Sequence, residues 1–275
     1  MVVALFAFIQ RDPPLFGLDK TTAEHVRVVG PLCGLWFAAF VWPLFVFTPD
    51  KPSTGLPLST AVRQGVRAVG ETLRHLPRYA NIARFLVARM IFNDGLTTVF
   101  AFGGIFAAGV FGMTMKEVIV FGLALNVTAG VGAAGFGFLD DKLGSKRTIL
   151  ISLVALIVTA SIAVAAPTRT VFWIAGACLG IFVGPAQAAS RSLMARLAPP
   201  DMRTEFFGLF ALTGKAIAFL GPLLVSGITE STQSQRWGLA TVVVMFVVGF
   251  VIMLGVREEP AVMRQQDAPT APQSH

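Results

Sequence analysis

The sequence predicts an all-α protein, a polytopic bundle of transmembrane helices. Three observations carry that expectation. Of 275 residues, 55% are apolar and only 13% are charged, with a mean hydropathy of +0.72, a balance that a soluble domain does not keep in water. Several low-charge stretches reach the roughly 20 residues that a helix rising about 1.5 Å per residue needs to cross a hydrocarbon core of about 30 Å. Basic residues also alternate between rich and poor connections along the chain, as they do where alternate loops lie on opposite sides of a bilayer.

In chain order, Met1 to Ile9 is wholly apolar but too short to cross, and it lacks the basic start of a secretory signal. It reads as the end of a helix. Complete spans are expected at Val28–Phe47, Phe85–Ala108, Val118–Leu139, Ile149–Ala166, Val171–Ala189, Glu205–Gly227 and Trp237–Val256. Trp42, Trp173 and Trp237 fall near span ends, where an interfacial aromatic belt places them.

Orientation follows from the basic residues. Fourteen lie in one set of connections: Lys51 to Arg84, Lys142 to Arg147, Arg191 to Arg203, and Arg257 with Arg264. The opposite set holds six: Arg11, Lys20, Arg27, Lys116, Arg169 and Arg236. The richer side is expected to be cytoplasmic, with the C-terminus inside. Charge dispersed over membrane-flanking loops also accounts for the pI of about 10.1 without nucleic acid as a partner.

Residues 48–84 form a long basic linker in which Val62, Val66, Val69, Leu73 and Leu76 recur at helical spacing while Arg63, Arg67 and Arg74 occupy other faces. That pattern fits a helix lying on the membrane surface or a solvated linker helix. Six spans follow over residues 85–256, then a polar cytoplasmic tail, 257–275, with too little apolar content to order itself. Six helices after a basic linker match one half of the many transporters built from two such halves. Residues 1–47 would then be a remnant of the other half, one stub and one span.

The turn between the second and third of these six spans reads Gly137-Phe138-Leu139-Asp140-Asp141-Lys142-Leu143-Gly144-Ser145-Lys146-Arg147. It resembles the loop signature of the major facilitator superfamily: glycine, aliphatic, aspartate, basic residue, second glycine, basic cluster. Gly137 and Gly144 would allow close packing and a tight turn. Asp141, among Lys142, Lys146 and Arg147, would meet a basic group and helix N-terminal hydrogens, a latch able to form and break. Arg89-Met90-Ile91-Phe92-Asn93-Asp94-Gly95, Gln187 to Leu197 and Glu205-Phe206-Phe207-Gly208 resemble the branch holding the autophagy-related vacuolar amino-acid effluxers of fungi and their bacterial relatives. The resemblance runs from about Ala83 to Gly255. It implies a permease and, for the eukaryotic members, amino-acid export.

Charges inside spans need compensation, because an ionised side chain at the bilayer centre costs roughly 2.5–3.5 kcal/mol on insertion scales. Asp94 and Lys215 each lie about ten residues in from the basic side. They are expected either to line a central cavity, binding a proton, a substrate ammonium or a carboxylate, or to form a permanent ion pair. Arg89 lies nearer the basic end, where snorkelling to the interface is the simpler expectation. Asn93, Asn126 and Gln187 are polar residues within spans that either contact substrate or hydrogen-bond helices together.

Gly176, Gly180 and Gly184 bare one face of a helix just before Pro185, and Gly221-Pro222 offers a second bend in the next span. These are hinge points in a rocking transporter or packing points in a static bundle. Cys33 and Cys178 lie in apolar spans, His25, His75 and His275 are scattered, and no phosphate-cradling Gly-Lys-Ser/Thr loop occurs. No enzyme chemistry, metal site or cofactor is therefore expected. The reading that results is a permease moving a small solute, with protons as a candidate coupling ion and the lipid bilayer as its setting. The alternative is a non-transporting remnant, sensor or partner subunit. Either a longer N-terminal half or a second subunit is expected to complete two-sided access.

Overall fold

A computed structural model of the chain describes residues 24–48 and 79–258, together with 57, 59, 60, 63 and 70. The expected stub at Met1–Ile9, nearly all of the linker helix and the tail beyond Glu258 lie outside the described residues. Contacts divide the chain into two units, Met1–Arg63 and Gln64–His275.

In the first unit a single turn, Glu24–Arg27, leads into α1 (Val29–Phe47). No α1 residue is buried, and Leu35, Trp36, Phe37, Phe40, Phe45 and Phe47 all stand exposed. An all-round apolar helix of this kind is stable in lipid, where its backbone bonds are satisfied internally.

The second unit holds α2 (Ala80–Phe111), α3 (Met115–Leu143), α4 (Ser145–Ala165), α5 (Arg169–Leu197), α6 (Arg203–Ala216), α7 (Leu220–Thr232) and α8 (Gln235–Leu254). No strand occurs among the described residues, and with α6 and α7 taken as one span, seven helical segments, α1 included, are long and apolar enough to cross a membrane. The chain is an all-α, multi-pass membrane protein.

Local chemistry fixes the turns. α2 stops at Gly112, whose positive φ of 62° suits glycine. α3 begins with a reciprocal cap: the Thr114 hydroxyl accepts from Glu117 N, and the Glu117 carboxylate accepts from Thr114 N at 2.8 Å. Only Gly144, at φ 87°, separates α3 from α4.

α5 packs extensively against α3 on one side and α4 on the other, while α8 packs against α2, α4 and α7. Phe85, Phe92, Leu96, Leu153, Leu156, Leu193, Phe206 and Phe246 are fully buried between them. Val154, Val158 and Ile162 on α4, spaced by four, are exposed, an apolar stripe that calls for lipid or protein cover.

The sixth of the seven expected spans, Glu205–Gly227, is not one helix. α6 ends at Ala216 and α7 begins at Leu220, with residues 217–219 as a turn. Pro222 explains the interruption, since its ring clashes with the carbonyl of residue 218 in a continuous helix. At the third position of α7 its missing N–H costs nothing, because the first intrahelical bond runs from Leu223 N to Phe219 O at 3.0 Å. Pro185 has no such effect, and α5 runs unbroken from Arg169 to Leu197.

Candidate functional site

The interrupted span is held by two charged side chains of α2. Asp94 is 2% exposed, and its Oδ2 accepts from the free N–H of Gly221, the second residue of α7, at 2.7 Å. Five residues earlier, about 7.5 Å along the axis, the Arg89 guanidinium donates to Phe210 O at 2.8 Å and to Thr213 Oγ1 at 3.4 Å near the end of α6. It also lies over the Phe210 ring, 3.5 Å from its centroid. A carboxyl group therefore meets the positive N-terminal end of α7 and a cation sits by the negative C-terminal end of α6, the arrangement that helix dipoles favour. Arg89 is half-buried and turned into the protein, so snorkelling does not describe it.

Gly221 is required at this contact. A Cβ there would overlap Thr98 Oγ1 and stand 3.2 Å from Asp94 Oδ2. Asp94 and Thr98 are one turn apart on α2, and both are buried, Thr98 fully.

Lys215 lies in the last turn of α6 and is exposed. No ion pair joins it to Asp94 among the described residues, so the structure does not bring the two expected partners together. Asn93 is half-buried beside Asp94, and its carbonyl accepts from Thr97 Oγ1 at 3.0 Å. Asn126 is exposed and donates to Gly122 O of its own helix at 2.8 Å. Gln187 is exposed on α5.

The glycine stripe of α5 forms a packing seam. Cβ atoms on Gly176, Gly180 and Gly184 would overlap Phe121, Thr128 and the Ala129 carbonyl of α3, respectively. Gly132 completes it from α3: a Cβ there would overlap Ile181 O, the carbonyl that Pro185 deprives of its i+4 donor.

At the basic end of the bundle the expected latch is rearranged. Gly144 makes the turn, and a Cβ on Gly137 would meet none of the described residues. Asp141 is exposed. The N-terminal hydrogens of α4 go instead to Glu258, which accepts from Ser145 N at 3.2 Å and Lys146 N at 2.8 Å and pairs with Arg196 at 3.1 Å. The segment after α8 is further tied by Lys146 Nζ to Leu254 O at 3.0 Å and Arg84 to Gly255 O at 2.6 Å. Asp141, Lys142 and Arg147 line the same cavity as Glu258. Glu258 and Thr98 were not singled out by sequence reasoning. The signals were present: an acid directly after Arg257 on the basic side, and a hydroxyl four residues from an intramembrane carboxylate.

Fold and site together define a multi-pass membrane helix bundle with one interrupted, charge-held span. A family model described as vacuole effluxer Atg22 like matches residues 2–266, and the chain belongs to that family. It is similar to an uncharacterised MFS-type transporter, YxiO, of Bacillus subtilis, at 25% identity over 206 residues, covering 74% of this chain and 48% of the relative. It is also similar to the autophagy-related protein 22 of Cryptococcus neoformans, 25% identical over 258 residues (86% of this chain, 46% of the relative). The Kluyveromyces lactis protein of the same name is 26% identical over 284 residues (94% and 56%). The chain spans about half the length of the curated relatives it matches.

Proposed function

We propose that residues 85–256 work as one six-helix half of a major-facilitator-type permease that moves a small solute, such as an amino acid, by alternating access. The observation that carries this reading is the interrupted span Arg203–Thr232, whose two pieces are held separately by Arg89 and Asp94. A buried charge at a helix break supplies a local, reversible contact between elements that must shift. Family membership supports the permease class, and the relatives' printed names support transport and, through the family description, efflux. The fourteen-to-six distribution of basic residues supports a cytoplasmic C-terminus, and similarity to the Bacillus subtilis protein supports a bacterial plasma membrane.

Counterflow of labelled amino acids into proteoliposomes containing the purified chain tests the reading. Expected is uptake driven by internal unlabelled substrate and lost in Asp94→Asn. Absence of substrate-dependent flux under any imposed gradient would assign the chain a non-transporting role.

A further inference from the structure

A cavity of about 1380 Å³ opens at the basic end of the bundle, where α2 begins, α3 turns into α4 and α8 ends. Six basic side chains and two carboxylates line it, an excess of four positive charges. Glu258 is committed to the first turn of α4 and to Arg196, which leaves Asp141 alone against the remaining cations. Asp140 lines a neighbouring cavity with Pro185 and Ser192. Arg84 and Lys146 donate to the carbonyls of Gly255 and Leu254, neutral acceptors that fix the two groups without cancelling their charge. Lys142, Arg147 and Arg257 are exposed, and among the described residues no hydrogen bond or ion pair engages their side chains. Asn81 fixes the backbone of Arg257 by two hydrogen bonds, at 2.6 and 2.7 Å. The cations thus converge from four elements tied to one another, not from a single loop.

Depth points to the occupant. In line with Arg147 at helical spacing, Ile151, Val154, Val158 and Ile162 form an exposed apolar face of α4. Val244, Val247, Val251 and Leu254 form another on α8, and the two helices pack against each other. Each face runs about 15 Å, the depth of one leaflet of a core roughly 30 Å thick. Both faces end at the cavity, since Arg147 at the start of α4 and Leu254 at the end of α8 line it. A free phosphate would use the cations and leave the apolar faces bare; an apolar helix would cover the faces and leave the cations unanswered. A phospholipid of net negative charge meets both, its phosphate oxygens accepting from Arg and Lys and its chains lying on the aliphatic faces.

We propose that this cavity binds the headgroup of an anionic phospholipid whose acyl chains lie along the exposed faces of α4 and α8. Bound there, the lipid ties the α3–α4 turn to the segment after α8 through Arg147 and Arg257. The site requires only that α4 and α8 end at the level of the headgroups, so it stands apart from the permease reading.

Native mass spectrometry of the purified full chain, delipidated and titrated with phosphatidylglycerol or phosphatidylcholine, tests the site, with circular dichroism to verify that each variant folds. Expected is a one-to-one phosphatidylglycerol adduct, about tenfold or more tighter than that of phosphatidylcholine and not displaced by excess inorganic phosphate. Arg147→Gln combined with Arg257→Gln should weaken the adduct about tenfold or more. Arg191→Gln combined with Arg203→Gln removes the same charge from the same side but outside the cavity, and should leave it unchanged. Equal affinity for the two lipids overturns the proposal, as does a folded cavity variant weakened no more than the control, which would mean diffuse attraction by the whole basic side. Displacement by inorganic phosphate makes the cavity a site for soluble anions, and a lipid-free dimer that excludes the adduct makes the α4 and α8 faces a protein contact; either result overturns it.

Discussion

Glycine and proline occur together in both the α3–α5 seam and the α6–α7 break, yet they do opposite things there. In the seam Gly176, Gly180 and Gly184 bring α5 against α3 until backbone carbonyls and side chains fill the space a methyl group would need, and Pro185 leaves the helix intact. At the break Pro222 opens a new helix, and the freed Gly221 N–H is taken by a carboxyl side chain from another element. The difference lies in what receives the unpaired backbone. Ile181 O, released by Pro185, is pressed against Gly132; the α7 terminus is met by a carboxyl group. Dense contact favours a rigid interface, whereas an interaction resting on one carboxylate can be exchanged.

The largest effect is expected in the seam. Gly180→Leu places a branched side chain on Thr128 and the Leu125 carbonyl, and overpacking of this kind costs about 3 kcal/mol, read as a lower thermal midpoint in detergent or as lost folded yield. A wild-type midpoint would show the seam to be loose and erase the contrast. Next in size is Arg89→Lys, which keeps the charge but loses the fork on Phe210 O and Thr213 Oγ1 and the stacking over Phe210. Its expected cost is about 2 kcal/mol in the same measurement. No loss would mean that α6 is positioned by packing alone, as the seam is.

Glu258→Gln removes the charge that caps α4 and pairs with Arg196 while keeping the shape. The partly exposed site limits the cost to about 1 kcal/mol. The predicted readout is earlier proteolysis after α8 in the variant, with seam and break unaffected. An unchanged cleavage rate would show that Arg84 and Lys146 hold the segment without it.

The spans were legible because hydropathy and length are local properties of the chain, and the observed helices overlap every expected one. Gly221-Pro222 was legible as a bend. Its holding by Asp94 was not, because that contact joins residues 127 apart and nothing local distinguishes an aspartate that meets a lysine from one that meets a backbone N–H. The same reason hides Glu258, which lies 112 residues from the Lys146 N–H it accepts. Asp141, nearer in sequence and better matched to the family signature, was the natural choice. Polar residues were the least legible, since sequence names the residue and not its face: Asn126 and Gln187 are exposed, while Thr98, unremarkable in sequence, is enclosed.

The smallest change in stability, and the sharpest comparison, comes from replacing the two prolines. Pro185→Ala and Pro222→Ala are each expected within about 0.5 kcal/mol of the parent chain. Their effects on amide exchange should separate them. Alanine at 222 regains an N–H that can reach the residue-218 carbonyl, favouring a helix that continues through 217–219 and withdraws Gly221 from Asp94. Exchange across residues 217–223 should therefore slow. Alanine at 185 enters a helix already continuous and pinned by Gly132 and Gly184 against α3, so exchange across 181–185 should stay as it was. Equal slowing at both sites would show that proline alone interrupts each helix and that the seam does not restrain α5. No slowing at 217–223 would mean that Asp94, rather than Pro222, keeps the sixth span in two pieces.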